Sequence, residues 1–260
     1  MNLPEASQTA ILALICRAIE SGKKNPVFND PMAILCLERL ISISSDEEKN
    51  RILKWKKMYT GNPWDVRARA LTARSFDKIA SLYISNNPGC IVINLACGFD
   101  TRFWRIENKK CNYIELDLPE VIELKREILK DHLDYELISC SVFDTSWIDK
   151  VTSNGNNNFL LLAEAVFYYL AKQDVITLLK EITTRFSCSQ LVLDMAPEKY
   201  TKGLWKKFIH LHARAWDIDA SFASGIKNPS EIESYGNGLK VISLVKGNVG
   251  PIITASINAA

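Results

Sequence analysis

The sequence predicts an α/β protein with a mostly parallel, seven-stranded sheet, an antiparallel edge strand and an N-terminal helical cap. From about residue 90 onward, strand-like runs alternate with helical runs, which is typical of a parallel sheet with crossover helices. The apolar run Ile91–Leu95 stops abruptly at small residues, as a buried parallel strand does before a tight turn. The last two strand-like runs are separated by a short loop, so we expect them to pair antiparallel.

The individual elements follow in chain order from these patterns. Helical periodicity predicts four helices in the cap, at 5–21, 31–41, 46–59 and 64–84. Strand-like runs predict the strands of the sheet, at 91–95, 112–116, 135–139, 159–164, 189–194, 239–245 and 251–257. Helices are predicted between strands at 119–131, where Pro119 opens the first turn, and at 173–187.

We divide the chain at residue 88 into two parts of one domain. Residues 1–88 form the helical cap, and residues 89–260 form the core with a helical insertion near 198–217. We expect the cap to pack over the ligand-binding edge of the sheet; the alternative is a structural appendage that never touches ligand. The insertion is either a wall of a ligand pocket or an amphipathic helix that covers the core.

The composition excludes several classes of protein. With 47% hydrophobic and 24% charged residues, the chain resembles a soluble globular protein with a real core. The net charge of +2 lacks the excess of Lys and Arg that nucleic-acid binding needs, so we expect no nucleic-acid partner. The longest N-terminal apolar run, Ala10 to Cys16, is too short to cross a bilayer and has no basic region before it. We therefore expect no membrane partner.

Cysteine and histidine usage predicts neither disulfides nor a metal site. The seven cysteines form no C-x-x-C pair and lie mostly in or beside apolar runs, which indicates buried, reduced thiols and a cytoplasmic location. His210 and His212 are two residues apart, so on a helix they point to different faces, and no third ligand has the spacing of a zinc site.

Small or acidic residues follow four consecutive strands, at the edge where open α/β sheets bind ligands. They are Gly98, Asp117, Asp144 and Glu164. Gly98 lets the backbone approach a ligand, and Asp117 is placed to accept hydrogen bonds from ribose hydroxyls. Asp144 suits an exocyclic amine, and Glu164 ends an apolar strand, where a carboxylate is costly unless it faces a site or finds partners. Two alternatives stay open: Asp117 as the N-cap of the next helix, and Asp144 in an Asx turn.

Residues 94–105, with the letters NLACGFDTRFWR, resemble the L-G-x-G-x-D-T-R-x-x-R signature of the leucine carboxyl methyltransferase family. That family includes bacterial small-molecule O-methyltransferases that resemble tetracenomycin-type polyketide methyltransferases. Further matches follow in chain order at 29–33, 71–77, 115–119 and 163–170. The resemblance therefore covers over half of the chain.

The resemblance implies a Rossmann-like, class I S-adenosylmethionine-dependent methyltransferase that transfers a methyl group to an oxygen of a small-molecule acceptor. It implies that Arg74 pairs with the methionyl carboxylate, that Gly98 lies under the methionine portion, and that Asp117 binds the ribose hydroxyls. It also implies that Asp144 marks the adenine end and that Glu164 lies near the methionyl amine or the sulfonium. A cofactor with an ammonium, a carboxylate and a ribose suits several acids and one basic clamp.

The turn residues Ala96 and Cys97, together with Leu118, complete the predicted cofactor site. Ala96 departs from the family pattern, which has its first turn glycine there. Alanine is tolerable at this position if φ is negative, but it narrows the turn. We interpret Asp100 as a cap of the next helix, while for Arg102 a structural role and ligand contact stay equal alternatives.

The acceptor side is less well defined by the sequence. Methyl transfer from a sulfonium is an in-line displacement in a site closed to water. A carboxylate acceptor is already ionised, whereas a phenol or an alcohol benefits from a base. We select Tyr168, Tyr169 and His210 as catalytic candidates, with His212 and Asp217 as further bases. The identity of the acceptor and the choice between a monomer and a homodimer stay open.

Three other functions stay open beside this one. A nicotinamide-dependent oxidoreductase uses the same type of sheet, but G-x-G-x-x-G is missing here. A protein that binds the cofactor without turnover is suggested by Ala96 and by the short C-terminal part of the chain. A protein C-terminal carboxyl methyltransferase is a narrower variant, but nothing in the sequence marks a surface for docking a peptide.

Overall fold

The computed structural model describes residues 5–106, 108–153, 155, 158–215 and 221–258. Within these ranges the α-helices are α1 (Glu5–Ser21), α2 (Pro31–Ile43), α3 (Asp46–Thr60), α4 (Pro63–Asn86), α5 (Pro119–Leu129), α6 (Ser146–Thr152), α7 (Lys172–Arg185) and α8 (Gly203–Ala215). The strands are β1 (Ile91–Leu95), β2 (Asn112–Asp117), β3 (Glu136–Ser139), β4 (Phe159–Ala163), β5 (Ser189–Asp194), β6 (Leu239–Lys246) and β7 (Pro251–Ile257). The predicted α/β fold with a seven-stranded, mostly parallel sheet is confirmed.

The strands lie in the order β3-β2-β1-β4-β5-β7-β6. The first five strands run parallel, and β7 runs antiparallel to both β5 and β6. The predicted antiparallel pairing of the last two strands at this edge is confirmed, and β7, the strand of opposite direction, lies one place inside the edge. The edge strand is β6, which runs parallel to the first five.

Burial distinguishes the two strands of the hairpin. They are neighbours with opposite directions, so only their order relative to β5 is free. In β7 five of seven residues are buried, whereas in β6 only Leu239 is. This difference follows from position, because a strand inside the sheet is covered on both sides.

The helices of the cap begin where the sequence supplies caps. Asp30 accepts a hydrogen bond from the Ala33 N–H at 3.0 Å, and Pro31 is the first residue of α2. Ser45 and Glu48 form a capping box at the start of α3. These polar groups satisfy backbone N–H groups that have no partner inside a helix, so the cap consists of separate short helices rather than one long one.

The cap and the sheet share a hydrophobic core. One cluster joins side chains of α1, α2 and α3 to α5 and to Phe99, which lies in the turn after β1. A second cluster joins the strands to α6 and α7, and there Trp147 stacks on Phe186 with ring centroids 5.8 Å apart. The cap therefore packs at the carboxyl end of β1. The division at residue 88 stays a prediction.

Smaller differences from the predicted elements lie at helix ends. The helix predicted at 119–131 ends at Leu129, and the helix predicted at 173–187 spans Lys172–Arg185. The short helix α6 is not among the predicted elements. In the part of the chain that the structure describes, no helix has the length and apolar character needed to cross a membrane.

Candidate functional site

A cavity of about 540 Å³ lies at the carboxyl ends of the parallel strands. It is lined by the turn after β1, by residues that follow β2, β3 and β4, by one face of α1, and by Arg69 of α4. Seven of the predicted site residues line it: Ala96, Cys97, Gly98, Asp117, Leu118, Glu164 and Tyr169. The cavity therefore lies where the sheet-edge argument expects a ligand.

The turn after β1 contains two residues in the left-handed region. Ala96 has φ +47° and Gly98 has φ +50°. A Cβ on Gly98 would lie 2.7 Å from the Cβ of Ala10 on α1, so only glycine fits between the turn and the cap. Alanine at position 96 is expected to be tolerable if φ is negative, but the observed φ of Ala96 is positive. Ala96 therefore holds a conformation that costs energy for a residue with a Cβ.

Two contacts support this turn from outside the cavity. The Cys97 N–H donates to the Leu116 carbonyl at 3.1 Å, which ties the turn to the end of β2. The fully buried Lys125 Nζ donates to the Asp100 carbonyl at 2.7 Å and pairs with Glu115 at 2.6 Å. Glu115 compensates the buried charge of Lys125. The hydrogen bond from Lys125 to the Asp100 carbonyl holds the turn in place.

Asp117 joins the turn to the end of β2. Its Oδ2 accepts from the Gly98 N–H at 2.6 Å, and its Oδ1 accepts from the Leu118 N–H at 2.7 Å. Burial raises the pKa of Asp117, although the two N–H groups favour its charged form. The N-cap residue of α5 is Leu118, with no side-chain capping hydrogen bond. Asp117 is therefore not the cap of α5, and its carboxylate faces the cavity.

Glu164 follows β4 and is held by Arg102. The Arg102 guanidinium is fully buried and pairs with Asp77 at 2.8 Å, with Asp100 at 2.5 Å and with Glu164. Burial raises the pKa of the Glu164 carboxyl, and Arg102 opposes this shift. Arg102 is not among the residues that line the cavity, so of its two alternatives the structural role is the one observed.

A second arginine, Arg105, extends this network to the cap. It contacts Asp77 at 2.7 Å, Asp30 at 2.7 Å and Asp100 at 3.2 Å. Asp30 also accepts from the Thr101 hydroxyl at 2.6 Å. The D-T-R residues of the signature, together with Asp30 and Arg105, thus join the turn after β1 to α2 and α4. Asp100 takes part in these ion pairs, and no side chain caps the 3-10 helix that follows it, so the interpretation of Asp100 as a helix cap is wrong.

Two further arginines, Arg17 and Arg69, line the cavity and are absent from the predicted site. Arg17 donates to the Phe99 carbonyl at 2.8 Å, and its Nε lies 3.6 Å from Asp30. Arg69 donates from Nε to Asp65 at 3.1 Å, and 32% of its side chain is exposed. Arg69 is thus the cation at the cavity with the greater freedom to meet a ligand.

Arg74 lies outside the cavity. It is exposed and donates to the Val27 carbonyl at 3.2 Å. Residues five apart on an α-helix differ in direction by about 140°, so Arg69 and Arg74 cannot serve the same site. The sequence motif around Arg74 places α4 correctly, but the side chain that reaches the cavity comes from more than one turn earlier.

Asp144 also lies outside the cavity. It is exposed, and its Oδ1 accepts from the Ser146 N–H at 3.1 Å in the turn before α6, as the Asx-turn alternative expects. This hydrogen bond lowers the pKa of Asp144. The side chains after β3 that do line the cavity are Ser141, Val142 and Phe143.

Of the candidates on the acceptor side that the structure describes, Tyr169 lines the cavity and the others do not. Tyr168 is buried beneath it, and its carbonyl accepts from the N–H of Ala223 at 2.8 Å. His210 lies on α8 and does not line the cavity. The side chain of His212 and all of Asp217 lie outside the described residues.

Asp194, at the end of β5, is a buried acid that the predicted site does not include. Its Oδ1 accepts from the N–H of Ala165 at 2.7 Å, and Ala165 has φ +59°. Ala165 stands between the cavity residues Glu164 and Val166, so Asp194 holds the backbone that positions both. Burial raises the pKa of Asp194 to about 7.

Some of the missed residues leave a signal in the sequence. Thr9, Ala13 and Arg17 recur every four residues, which puts them on one face of α1. A face of small residues with a single arginine is unusual for a surface helix and indicates close contact with backbone or ligand. Arg69 leaves no such signal, because α4 carries arginines on several faces.

The structure contains neither disulfides nor a metal cluster among the residues it describes. All seven cysteines are free, and four of them are buried. No group of three or more His, Cys, Asp or Glu side chains in the described ranges is arranged to hold a metal ion.

Known proteins resemble this chain over most of its length. A family model for leucine carboxyl methyltransferase matches residues 10–183. The tetracenomycin polyketide synthesis O-methyltransferase TcmP of Streptomyces glaucescens is 28% identical over 241 residues, which is 92% of this chain and 82% of that protein.

Solved structures share the fold at much lower identity. An O-methyltransferase family protein from Burkholderia thailandensis has a TM-score of 0.52 and 14% identity, over 97% of this chain and 84% of that one. Magnesium protoporphyrin IX methyltransferase from Synechocystis PCC 6803, with bound S-adenosylhomocysteine, has a TM-score of 0.52 and 10% identity, over 88% of this chain and 95% of that one. At these identities the two structures show the fold alone.

Proposed function

Because the chain belongs to the leucine carboxyl methyltransferase family, we propose that it transfers a methyl group to an oxygen of a small-molecule acceptor. It is an S-adenosylmethionine-dependent methyltransferase, and this premise removes the nicotinamide-dependent alternative. The observation that carries the residue assignments is the convergence of Gly98, Asp117, Glu164 and Arg69 on one cavity.

Asp117 suits the ribose of the cofactor. A carboxylate offers about four acceptor positions, and the N–H groups of Gly98 and Leu118 use two of them. The remaining positions accept from the two ribose hydroxyls. Because both oxygens are already fixed by backbone groups, Asp117 does not need to reorganise when the cofactor binds.

The charged end of the cofactor meets Arg69 and Glu164. Arg69 donates to Asp65 through its Nε. Its Nη groups therefore suit a bidentate pair with the methionyl carboxylate. Arg17 lies at the same cavity and adds positive charge. Glu164 accepts from the methionyl ammonium while Arg102 holds its carboxylate in place. Phe143 and Val142 provide apolar contact for the adenine.

The cofactor, when bound, supplies a methyl group on a sulfonium, which is a good leaving group. The protein's part is to hold the acceptor oxygen in line with that methyl group and to exclude water. Tyr169 lies at the cavity, and burial raises the pKa of its hydroxyl, so the hydroxyl stays protonated and donates to an acceptor oxygen. Tyr169 is therefore an orienting donor rather than a base.

The lining of the cavity favours a carboxylate acceptor. No histidine occurs among the described residues that line it, and its carboxylates Asp100, Asp117 and Glu164 are all engaged in hydrogen bonds or ion pairs. A phenol or an alcohol benefits from a base, and among the described lining residues the candidates are these engaged carboxylates, whereas a carboxylate acceptor is already ionised. A cytoplasmic location stays a prediction from the sequence.

The test is a methyl-transfer assay with matched acceptors. Pairs of carboxylic acids and phenols on the same carbon skeleton are incubated with S-adenosylmethionine, and S-adenosylhomocysteine release is measured. We expect turnover with acids and none with the matched phenols. Turnover with phenols alone would overturn the carboxylate assignment. Calorimetric binding without turnover on any acceptor would favour the cofactor-binding alternative, and absence of binding would overturn the proposal as a whole.

A further inference from the structure

Helix α8 carries an exposed apolar stripe. Leu204 is 83% exposed, Phe208 is 63% exposed and Leu211 is 70% exposed. They are spaced by four and three residues, so they lie along one face of the helix. Large apolar side chains rarely stand so far out of a soluble protein in a contiguous row, and such rows mark interaction surfaces.

Another side of α8 contacts the 3-10 turn just before it. Trp205 packs against Tyr200, with ring centroids 5.7 Å apart, and Lys199 Nζ lies 5.5 Å from the Trp205 ring. Ile209, on the same side as Trp205, is half-buried. These contacts lie on a different side of α8 from the stripe formed by Leu204, Phe208 and Leu211.

Basic residues predominate along α8. Residues 199–215 contain five Lys and Arg and no Asp or Glu, although Glu198 just before them pairs with Lys202 at 3.0 Å and Asp217 and Asp219 follow in the sequence. Lys206, Lys207 and Arg214 of α8 are all exposed. Lys207 and Arg214 are seven residues apart and therefore lie along the same border of the apolar stripe.

From this arrangement we propose that α8 binds the surface of an anionic lipid bilayer. Leu and Phe on one face with Lys and Arg along its border are features of helices that lie in the headgroup region. Anionic lipids attract each basic residue near the surface. The charge also argues against a second copy as the occupant, because two α8 helices face to face would bring like charges together.

A helix that lies on the surface of a bilayer differs from a segment that crosses the bilayer. The expectation of no membrane partner rests on the lack of a segment that crosses the bilayer. A helix that lies in the interface needs no such segment, because it inserts only its apolar face. The proposal therefore revises that expectation and does not depend on the proposed methyl transfer.

A row of aromatic rings joins α8 to the cavity. Tyr169 of the cavity lies 5.8 Å from Phe222, Phe222 lies 6.4 Å from Tyr200, and Tyr200 contacts Trp205. If the proposed function is correct, binding through α8 places this row between the bilayer and the cavity. An acceptor that dissolves in the membrane then has an apolar route to the site. This consequence, unlike the lipid contact itself, rests on the proposed function.

The experiment is co-sedimentation of the full chain with vesicles, without cofactor or acceptor. We expect binding to vesicles that contain phosphatidylglycerol, little binding to pure phosphatidylcholine, and release at high salt. The double variant Leu204→Glu with Phe208→Glu is expected to stay in the supernatant. The double variant Lys207→Gln with Arg214→Gln, which removes the two charges along the border of the stripe, should lower the partition coefficient about fivefold for each charge removed.

A matched control uses the exposed pair Ile242 and Leu244 on β6, which are 51% and 53% exposed. Changing both to Glu alters the net charge by the same amount and also removes two exposed apolar side chains, and we expect it to leave vesicle binding near the wild-type level. Equal loss in the β6 and α8 variants, or absence of wild-type binding to anionic vesicles, would overturn the proposal. A dimer that light scattering detects for the wild type and that only the α8 variant abolishes would also overturn the proposal. In that case a second copy of the chain would cover the apolar stripe.

Calorimetry with S-adenosylhomocysteine keeps the two proposals apart. The α8 variant is expected to bind it like the wild type, which also shows that the variant is folded. Failure of every variant and of the wild type to bind would count against the proposed function and leave the vesicle result unaffected.

Discussion

Asp117 and Asp144 are associated with neighbouring strands of the same sheet, yet only Asp117 reaches the cavity. Asp117 is the last residue of β2, and backbone N–H groups of Gly98 and Leu118 fix its carboxylate. Asp144 lies five residues beyond the end of β3, is exposed and accepts from Ser146. A carboxylate on a strand is therefore aimed by the sheet, whereas one in the following loop is aimed by the local turn.

The same contrast separates two arginines of α4. Arg69 lines the cavity, and Arg74 is exposed on another side of the helix. Both pairs teach that a motif places an element in the fold more reliably than it assigns a side chain. Substituting one residue of a contrasting pair and comparing it with the other tests these assignments.

The largest effect concerns Asp194, a buried strand-end acid with a raised pKa, in contrast to exposed Asp144. Its folded-state pKa of about 7 exceeds the ordinary value of 3.8, so the folded state holds the proton more tightly than the unfolded chain. The stability that it contributes is present at low pH and is lost as pH rises through about 7. Asp194→Asn should therefore be more stable than the wild type above pH 7, by about 1.4 kcal/mol for each unit of pKa shift.

Urea unfolding at several pH values checks this prediction. The difference between Asp194→Asn and the wild type should vanish as pH falls toward 4. Asp144→Asn is the control: because the pKa of Asp144 is lowered rather than raised, this variant should not become more stable than the wild type above pH 7. A pH-independent difference for Asp194→Asn would show that the carboxyl does not titrate as described.

Gly98→Ala tests the contact between the turn and the cap. The new Cβ would meet Ala10 at 2.7 Å in addition to the strain of a positive φ. Gly89 also has a positive φ, +83°, but open space around it, so Gly89→Ala carries the strain alone. Urea unfolding should show that Gly98→Ala costs about 1–3 kcal/mol more than Gly89→Ala. Equal costs would mean that α1 moves away from the turn without penalty.

Arg69→Ala and Arg74→Ala form the next pair. Loss of a charged hydrogen-bond partner should cost Arg69→Ala about 1.5–3 kcal/mol of binding, which weakens S-adenosylhomocysteine affinity roughly 10- to 150-fold. Arg74→Ala should bind within about twofold of the wild type, because its side chain lies outside the cavity. Isothermal calorimetry measures both, and the reverse order would restore Arg74 as the clamp.

The smallest effect is a gain in stability. Ala96→Gly removes the cost of a left-handed alanine, offset in part by the greater freedom of glycine in the unfolded chain, and should stabilise by about 0.5–1 kcal/mol. Ala13 also lines the cavity but lies within α1, so Ala13→Gly should destabilise by a similar amount. Thermal unfolding distinguishes the two signs. Destabilisation by Ala96→Gly would mean that its methyl group packs favourably.

The sheet could be predicted from the sequence because period and turn residues are local properties. The strands at 91–95 and 251–257 agree with the structure to the residue, as does the helix at 5–21. The position of β7 could not be predicted, because it depends on which strand of a hairpin finds cover on both faces. That is a property of the assembled sheet.

The candidate site could be predicted where the backbone itself forms it. Gly98 and Asp117 follow from strand ends, and both line the cavity. Arg17 and Arg69 come from helices of the cap, so their place depends on how α1 and α4 pack on the turn after β1. Tertiary packing of this kind leaves no periodic signal at the single residue that reaches the ligand.

The most direct test of the central claim compares Asp117→Ala with Asp144→Ala in S-adenosylhomocysteine binding by calorimetry. If the carboxylate fixed at the end of β2 holds the ribose, Asp117→Ala weakens binding about 10- to 150-fold, and Asp144→Ala stays within about twofold of the wild type. Equal affinities for both variants, or a larger loss for Asp144→Ala, would contradict the account.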